Sequence, residues 1–165
     1  MYKSHVLLFF LLVIFANVFG QLDLNRNIKI KQYAYKIDTT ASKFKSLRFK
    51  IDTIQVKAKK YDQKIITKCL FELSKSLLTI SYYLKGESLI LISVREQSPM
   101  FENMYYESLF YYNNETLFDE EYSSTVRPGV LIPKNKTTYE LYGYNQSLNK
   151  AFLKHFVLEL YKKLE

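Results

Sequence analysis

The sequence predicts an α+β domain: a curved antiparallel β-meander of about five strands, with one helix before it and one amphipathic helix after it. Two observations support this prediction. Segments of strand length with alternating polarity recur between residues 64 and 123, separated by short turn-forming stretches. Residues 147–164 then place apolar side chains at helical spacing. With 165 residues and 48% apolar content, the chain is long enough for one packed core.

The first 20 residues have the pattern of a signal peptide. A basic residue precedes an uninterrupted apolar run, Val6–Phe15, and compact residues lead to a cleavage position near Gly20–Gln21. The apolar stretch is shorter than the roughly 20 residues of a membrane-spanning helix, so no transmembrane anchor is expected after cleavage. We therefore expect a secreted or periplasmic protein, with an extended lead-in over residues 21–40 and a single α+β domain over residues 41–165.

Two interpretations compete for the segment Phe44–Tyr61. Six apolar or aromatic residues recur there at spacings of 3, 4, 3, 4 and 3: Phe44, Leu47, Ile51, Ile54, Ala58 and Tyr61. This period favours an amphipathic helix whose lysines face solvent, and we take it as the helix before the meander. The competing interpretation is a β-hairpin that turns at Asp52–Thr53, which the β-branched content favours.

Five strands are predicted from the alternation of polarity after residue 64. They are Ile66–Leu73, Leu77–Leu84, Leu89–Glu96, Met104–Tyr112 and Thr116–Ser123. Two segments, Tyr82–Leu89 and Phe110–Leu117, each run from the end of one strand through a turn to the start of the next, and they share one pattern. The pattern is two aromatic residues, two variable residues, Gly or Asn, Glu, a hydroxyl residue and Leu. Gly86 and Asn114 are residue types that adopt positive φ readily, so each copy predicts a hairpin.

The last third of the chain predicts a loop and then a helix. The segment Val126–Tyr144 has no clear period and is longer than most loops of compact domains. We expect Leu131 and at least one nearby tyrosine to anchor this loop against the sheet, with Arg127 left at the surface. A wide apolar stripe over Ser147–Leu164 predicts an amphipathic helix that packs on the sheet.

Charge is unevenly distributed along the chain. Residues 21–75 carry 14 Lys and Arg against 5 Asp and Glu, whereas residues 76–165 carry 9 against 11. A basic half is typical of proteins that bind nucleic acid or an anionic surface. Its lysines, however, alternate with apolar residues as they would on a solvated face, and export argues against nucleic acid. No nucleic-acid partner is therefore expected.

The residues needed for catalysis are scarce, so neither an enzyme activity nor a cofactor is predicted. After signal cleavage the chain holds one Cys and one His: Cys69 lies in an apolar strand and His155 in the last helix. No Gly-rich phosphate loop occurs, and no His or Cys cluster has metal-ligand spacing. An acidic segment leaves one alternative open, a hydrolase with two carboxylates. Its members are Glu96, Glu102, Glu107, Glu115, Asp119, Glu120 and Glu121.

Aromatic residues supply most of the candidates for binding. The strand Met104–Tyr112 is aromatic on both faces, so one face can join the core while the other contacts a partner. The candidate binding residues are Tyr105, Tyr111, Arg127, Leu131, Tyr139 and Tyr142. We expect an exported, non-catalytic module that binds a protein, a peptide or a glycan at the cell envelope, with a secreted inhibitor of a foreign enzyme as a further alternative. Three Asn-X-Ser/Thr glycosylation motifs occur, at Asn114, Asn135 and Asn145.

The order of these elements resembles small uncharacterised secreted proteins of low-GC Gram-negative bacteria. The resemblance covers Lys43–Glu165 and rests on the signal peptide, one Lys-rich helix, a meander with paired tyrosine, turn and Leu motifs, and a terminal helix. The turn motif is also similar to the repeats of antitoxin-like meander proteins, although Asn114 stands where those repeats have Gly. The resemblance implies the fold and brings no catalytic residues.

Overall fold

The computed structural model describes residues 25–40, 42–72, 76–97, 105–113, 115–124 and 150–165. The chain divides into two compact units, Met1–Thr40 and Ala41–Glu165. The described residues contain a helix, then seven strands in one antiparallel sheet, then a second helix, which confirms the α+β class. Within these ranges, no helix combines the length and the apolar character needed to cross a membrane.

The first helix, α1, covers residues 25–39, where the sequence predicted an extended lead-in over residues 21–40. Buried or half-buried residues recur along α1 at spacings of 3, 4 and 3: Asn27, Ile30, Ala34 and Ile37. The prediction was wrong because a polar residue begins this stripe and the stripe spans only about three turns, so apolar residues alone do not reveal the period. After α1, the Thr40 hydroxyl donates to the Lys36 carbonyl at 2.9 Å.

The segment Phe44–Tyr61 forms a β-hairpin, so the predicted helix is wrong and the competing hairpin is confirmed. Strand β1 (Lys45–Ile51) pairs with β2 (Ile54–Lys60) in antiparallel register. The two strands are joined by the two-residue turn Asp52–Thr53, in which Asp52 has a positive φ of 49°.

The two-residue turn explains why this hairpin also shows helical spacing. Across the turn, odd-numbered residues of β1 pair with even-numbered residues of β2, so Leu47 and Ile51 share a face with Ile54 and Ala58. These four residues satisfy both patterns at once. The residues that separate the two interpretations are Phe49 and Val56, which the helix would turn to solvent. The strands pair them on the inner face, where Val56 is 1% exposed and Phe49 packs against the core.

Five further strands complete the sheet, and each overlaps one of the five predicted strands. They are β3 (Lys64–Phe71), β4 (Leu77–Lys85), β5 (Ser88–Gln97), β6 (Tyr105–Asn113) and β7 (Thr116–Ser124). Every strand pairs with the next one along the chain, so the sheet is a meander in the order β1 to β7. The predicted count of about five strands was too low because the hairpin β1–β2 was assigned to a helix.

The two copies of the sequence repeat form equivalent hairpins, β4–β5 and β6–β7. The register shifts between Tyr83 and Leu84 in the first copy and between Tyr111 and Tyr112 in the second. Both hairpins therefore carry an irregularity at the same repeat position. Such bulges increase the local twist of a sheet.

The second helix, α2 (Lys150–Lys162), lies within the predicted range Ser147–Leu164 and packs on one face of the sheet, which we call the inner face. The Tyr82 hydroxyl on β4 donates to the Val157 carbonyl of α2 at 3.0 Å. The strands supply most of the core, and the buried core residues of α2 and the chain end are Leu153, Val157, Leu160, Tyr161 and Leu164.

The opposite face of the sheet, which we call the outer face, carries the charged residues of the first three strands except Lys45 and Lys60, which lie on the inner face. Three residues are nevertheless buried on it, in one row across β4, β5 and β6: Tyr83, Leu91 and Tyr111. The predicted loop Val126–Tyr144 lies outside the described residues.

Candidate binding surface

A row of three cations crosses strands β1, β2 and β3 on the outer face. Arg48 lies directly opposite Lys57, and Lys57 lies directly opposite Lys68. All three side chains are exposed. Neighbouring strands are about 4.8 Å apart, so this cation row places three positive charges within roughly 10 Å in the direction across the strands.

The cation row has no partner among the residues that the structure describes, whereas neighbouring polar side chains do. The Lys50 ammonium lies 3.0 Å from one carboxylate oxygen of Glu72, and Gln55 Nε2 donates to the other oxygen at 2.8 Å. The Lys59 ammonium lies 4.5 Å from the ring centre of Phe44. Among the described residues, the three cations of the row therefore lack the contacts that these neighbours make.

The cation row works against the stability of the sheet, because like charges that face each other across strands repel. Lysines and arginines on edge strands protect a sheet from aggregation, and this accounts for Arg48 on β1. It does not account for Lys57 and Lys68, because β2 and β3 are interior strands. A local feature that opposes folding is typical of a functional site.

The far side of the outer face is acidic, with Glu107 on β6 and Asp119 and Glu121 on β7. Glu107 accepts a hydrogen bond from Arg95 at 3.2 Å, and Glu121 accepts one from the Tyr111 hydroxyl at 2.9 Å. Burial, the hydrogen bond to Glu121 and the nearby carboxylates raise the pKa of Tyr111 well above its ordinary value. The Tyr111 phenol therefore keeps its proton and acts as a donor.

The structure describes two of the six predicted binding residues. Tyr105 is half-buried on the outer face, where the Arg95 guanidinium lies 4.1 Å from its ring centre. Tyr111 is fully buried and bound to Glu121, so its ring contacts protein rather than solvent. These two tyrosines are about 20 Å apart along β6, so they do not form one site. The candidates outside the described residues are Arg127, Leu131, Tyr139 and Tyr142, and the three glycosylation asparagines also lie there.

Cys69 is a core residue, as the sequence predicted. It is fully buried on the inner face, and desolvation raises the pKa of its thiol to about 12. His155, by contrast, is exposed on α2. Nucleophilic cysteines need an exposed, electropositive setting that stabilises the thiolate, and the surroundings of Cys69 have the opposite effect.

The acidic segment of the sequence is divided by the fold. Glu96 is 5% exposed and lies on the inner face, so the sheet separates it from Glu107 and Glu121 on the outer face. Glu120 also lies on the inner face, where it accepts a hydrogen bond from Lys154 at 2.8 Å. In the described ranges, no group of three or more His, Cys, Asp or Glu side chains is placed to hold a metal ion.

A cleft of about 360 Å³ lies between the turns of the two repeat hairpins and the end of the chain. Glu87 and Glu115 occupy equivalent repeat positions in the two turns, and they line the cleft together with Tyr161 and Glu165. Burial and a hydrogen bond to Glu165 raise the pKa of Tyr161. The cleft is acidic, so it disfavours the anions that the cation row attracts.

The cation row was not predicted, because the helical interpretation placed Arg48 and Lys57 on a solvated helix face. The hairpin interpretation contained the missing signal. Residues at equal distances from a two-residue turn lie opposite each other, and Arg48 precedes Asp52 by the same four positions by which Lys57 follows Thr53.

No protein-family model matches this chain, and no curated protein or solved structure is significantly similar to it. The resemblance to small secreted bacterial proteins therefore stays a prediction. Inferences about function rest on the residues of the described surface.

Proposed function

We propose that this protein is an exported, non-catalytic binding module that contacts an anionic partner through the cation row on its outer face. The partner carries closely spaced anionic groups and is a protein, a peptide or a glycan at the cell envelope. The observation that carries the proposal is the row itself: three exposed cations, opposed on adjacent strands, with no carboxylate partner in the described part of the chain.

An anionic partner would relieve the repulsion within the cation row. Each bound anion lies close to two or more cations, so binding gains Coulomb energy that the free protein lacks. Further basic residues surround the row, among them Lys59 and Lys64, and the formal net charge of the chain is +8. Complementary charge of this kind speeds association and selects partners.

The residues beside the cation row disfavour single-stranded nucleic acid as the partner. Sheets that bind single strands present aromatic rings on which bases stack. The described outer-face positions of β1, β2 and β3 hold no aromatic residue, although Phe44 and Tyr61 lie just beyond the ends of β1 and β2, beside Lys59. These positions are Ser46, Arg48, Lys50, Gln55, Lys57, Lys59, Lys64, Ile66, Lys68 and Leu70. This supports the expectation that the partner is not a nucleic acid.

The alternatives have less support in the described residues. Glu107, Glu120 and Glu121 each accept a hydrogen bond from a neighbouring side chain, as structural carboxylates do, and this does not favour a hydrolase. The inhibitor alternative depended on the loop Val126–Tyr144, which lies outside the described residues. Export rests on the signal-peptide pattern of residues 1–20.

Equilibrium binding of two polyanions tests the proposal. Labelled polyglutamate presents carboxylates, and labelled heparin presents sulfates. We expect the double variant Lys57→Thr, Lys68→Thr to bind at least about 10-fold more weakly than the wild type, because it loses two of the three charges of the row. The wild-type Kd should rise with added salt, because salt screens exposed charges.

Lys85→Thr is the matched control. Lys85 is exposed at the end of β4, about 20 Å from the cation row along the strands, so its removal should leave both affinities within about two-fold of the wild type. Tighter binding of polyglutamate would identify a peptide-like partner, and tighter binding of heparin a sulfated glycan. Equal affinities of wild type, double variant and control for both polyanions would contradict the proposal.

A further inference from the structure

Strand β1 lies at one edge of the sheet and is exposed to solvent. Within the described residues it pairs only with β2, and five of its seven residues are exposed. Most residues of β7, at the other edge, are half-buried. An edge strand carries unpaired backbone N–H and C=O groups, which can pair with a strand from another chain.

The hydrogen-bond pattern shows which residues of β1 direct these groups outward. The Tyr61 N–H donates to the Lys64 carbonyl at 2.8 Å, so the odd-numbered residues of β2 bond to β3. The even-numbered residues of β2 therefore bond to β1, where they pair with odd-numbered residues. The residues of β1 whose backbone groups point away from the sheet are Ser46, Arg48 and Lys50.

The side chains of β1 determine which residues an added strand would carry. On the outer face, its side chains would lie beside Arg48 and Lys50, next to the cation row, where acidic residues are favoured. On the inner face, its side chains would lie beside Leu47, which is 43% exposed, and Phe49, which is half-buried. Apolar residues are favoured there, because they would cover apolar surface that is now in contact with water.

We infer that the partner is an extended peptide segment in which acidic and apolar residues alternate, and that it binds to β1 as an eighth strand of the sheet. Backbone pairing supplies affinity in this mode of recognition, and alternate side chains supply specificity. The inference rests on the proposed function, because Arg48 belongs both to the cation row and to the edge. A second copy fits poorly, because two antiparallel β1 strands would place Arg48 and Lys50 of one copy beside the same outer-face cations of the other.

Fluorescence anisotropy with two labelled heptapeptides tests this inference on the full chain. One peptide alternates Glu and Val, beginning and ending with Glu. The other has the same composition with its four Glu residues in one block and its three Val residues in another. We expect the alternating peptide to bind at least about 10-fold more tightly, because only its side chains match both faces of an added strand.

Ser46→Pro tests the backbone pairing without a change of charge. Proline removes the outward N–H of Ser46, and its ring obstructs an incoming strand, while the bonds between β1 and β2 are retained. We expect this variant to lose at least about 10-fold in affinity for the alternating peptide, and Ser46→Ala to bind like the wild type. In the wild type, binding should slow hydrogen exchange at the amides of Ser46, Arg48 and Lys50.

The outcomes separate this inference from the proposed function. If both peptides bind with equal affinity and hydrogen exchange at the three amides is unchanged, edge pairing is excluded. The proposed function still stands in that case if the double variant Lys57→Thr, Lys68→Thr binds both peptides more weakly than the wild type. If Ser46→Pro does not fold, hydrogen exchange on the wild type still shows whether the peptide pairs with β1. If neither peptide nor polyanion binds, both proposals fail. A wild-type dimer that Ser46→Pro dissociates would make a second copy the occupant and overturn the inference.

Discussion

Cys69 and Tyr82 are ionisable side chains on the inner face of the sheet that keep their protons. Burial raises the pKa of the Cys69 thiol to about 12 and raises the pKa of the Tyr82 phenol well above its ordinary value. The Tyr82 hydroxyl donates to the Val157 carbonyl and so links β4 to α2. Burial favours the neutral form of both groups, so we expect the packing of α2 on the sheet to weaken at high pH.

We expect the protein to lose stability as the pH rises above about 9. The folded pKa of Cys69 lies above its ordinary value of 9.0, so the stabilisation from the neutral thiol is fully present below pH 9 and is lost as the pH rises toward 12. Between these values the loss is about 1.4 kcal/mol per pH unit. Urea denaturation of the wild type and Cys69→Ala between about pH 8 and about pH 11 measures it.

The Cys69→Ala variant isolates the thiol, because every other ionisable group is the same in both proteins. The difference in free energy of unfolding between wild type and variant should therefore shrink as the pH rises. A constant difference over this range would contradict the raised pKa of Cys69.

At the scale of elements, the two repeat hairpins both have two-residue turns, but the described positive φ values lie at different turn positions. Gly86 has φ of 63° in the first turn, as glycine readily does. In the second turn a positive φ of 66° falls on Glu115, whereas the sequence placed it on Asn114, which lies outside the described residues. A residue with a Cβ atom is strained in this conformation by roughly 1 kcal/mol.

Glu115→Gly should raise the free energy of unfolding by about 0.5–1 kcal/mol, because glycine adopts a positive φ without strain. Gly86→Ala should lower it by about 1 kcal/mol. A Cβ atom at Gly86 would meet nothing within 4 Å, so the loss would report backbone strain rather than a clash. Thermal or urea denaturation measures both effects.

Glu115→Gln is the control for charge, because it removes the carboxylate and keeps the strained backbone. It should be less stable than Glu115→Gly. Equal stability of the Gln and Gly variants would show that charge, and not φ, determines the effect.

The sequence correctly predicted the elements whose residues fit either a helical or a strand pattern, but not both. Strands β3 to β7 alternate in polarity and are separated by turn residues, and α2 has a wide apolar stripe, so both could be predicted. The hairpin β1–β2 satisfied a helical and a strand pattern together, and Phe49 and Val56 were the residues that distinguished them. The site depended on that choice, because the opposition of Arg48 and Lys57 exists only in the hairpin.

At the scale of the whole sheet, the outer face is divided by charge. Its first three strands are basic, and β6 and β7 carry Glu107, Asp119 and Glu121. The acidic residues Glu107 and Glu121 contact neighbouring side chains, whereas the cation row has no such contacts among the described residues. We therefore expect binding to concentrate on β1 to β3, where repulsion between like charges opposes folding.

The central claim is that the cation row lowers stability and binds anions through the same charges. Lys57→Glu puts a carboxylate between Arg48 and Lys68, so two repulsive contacts become attractive. The most direct test is urea denaturation of the wild type, Lys57→Glu and the control Lys85→Glu, each with and without polyglutamate. This single experiment gives the free energy of unfolding of each protein and the increase in that free energy when polyglutamate binds.

Without polyglutamate, we expect Lys57→Glu to be more stable than the wild type by about 0.5–1 kcal/mol, and Lys85→Glu to differ from the wild type by less than about 0.5 kcal/mol. With polyglutamate at about 100 times the wild-type Kd, the wild type and Lys85→Glu should gain about 2.7 kcal/mol, and Lys57→Glu should gain far less. A Lys57→Glu variant that is less stable than the wild type and gains as much from polyglutamate would contradict the central claim.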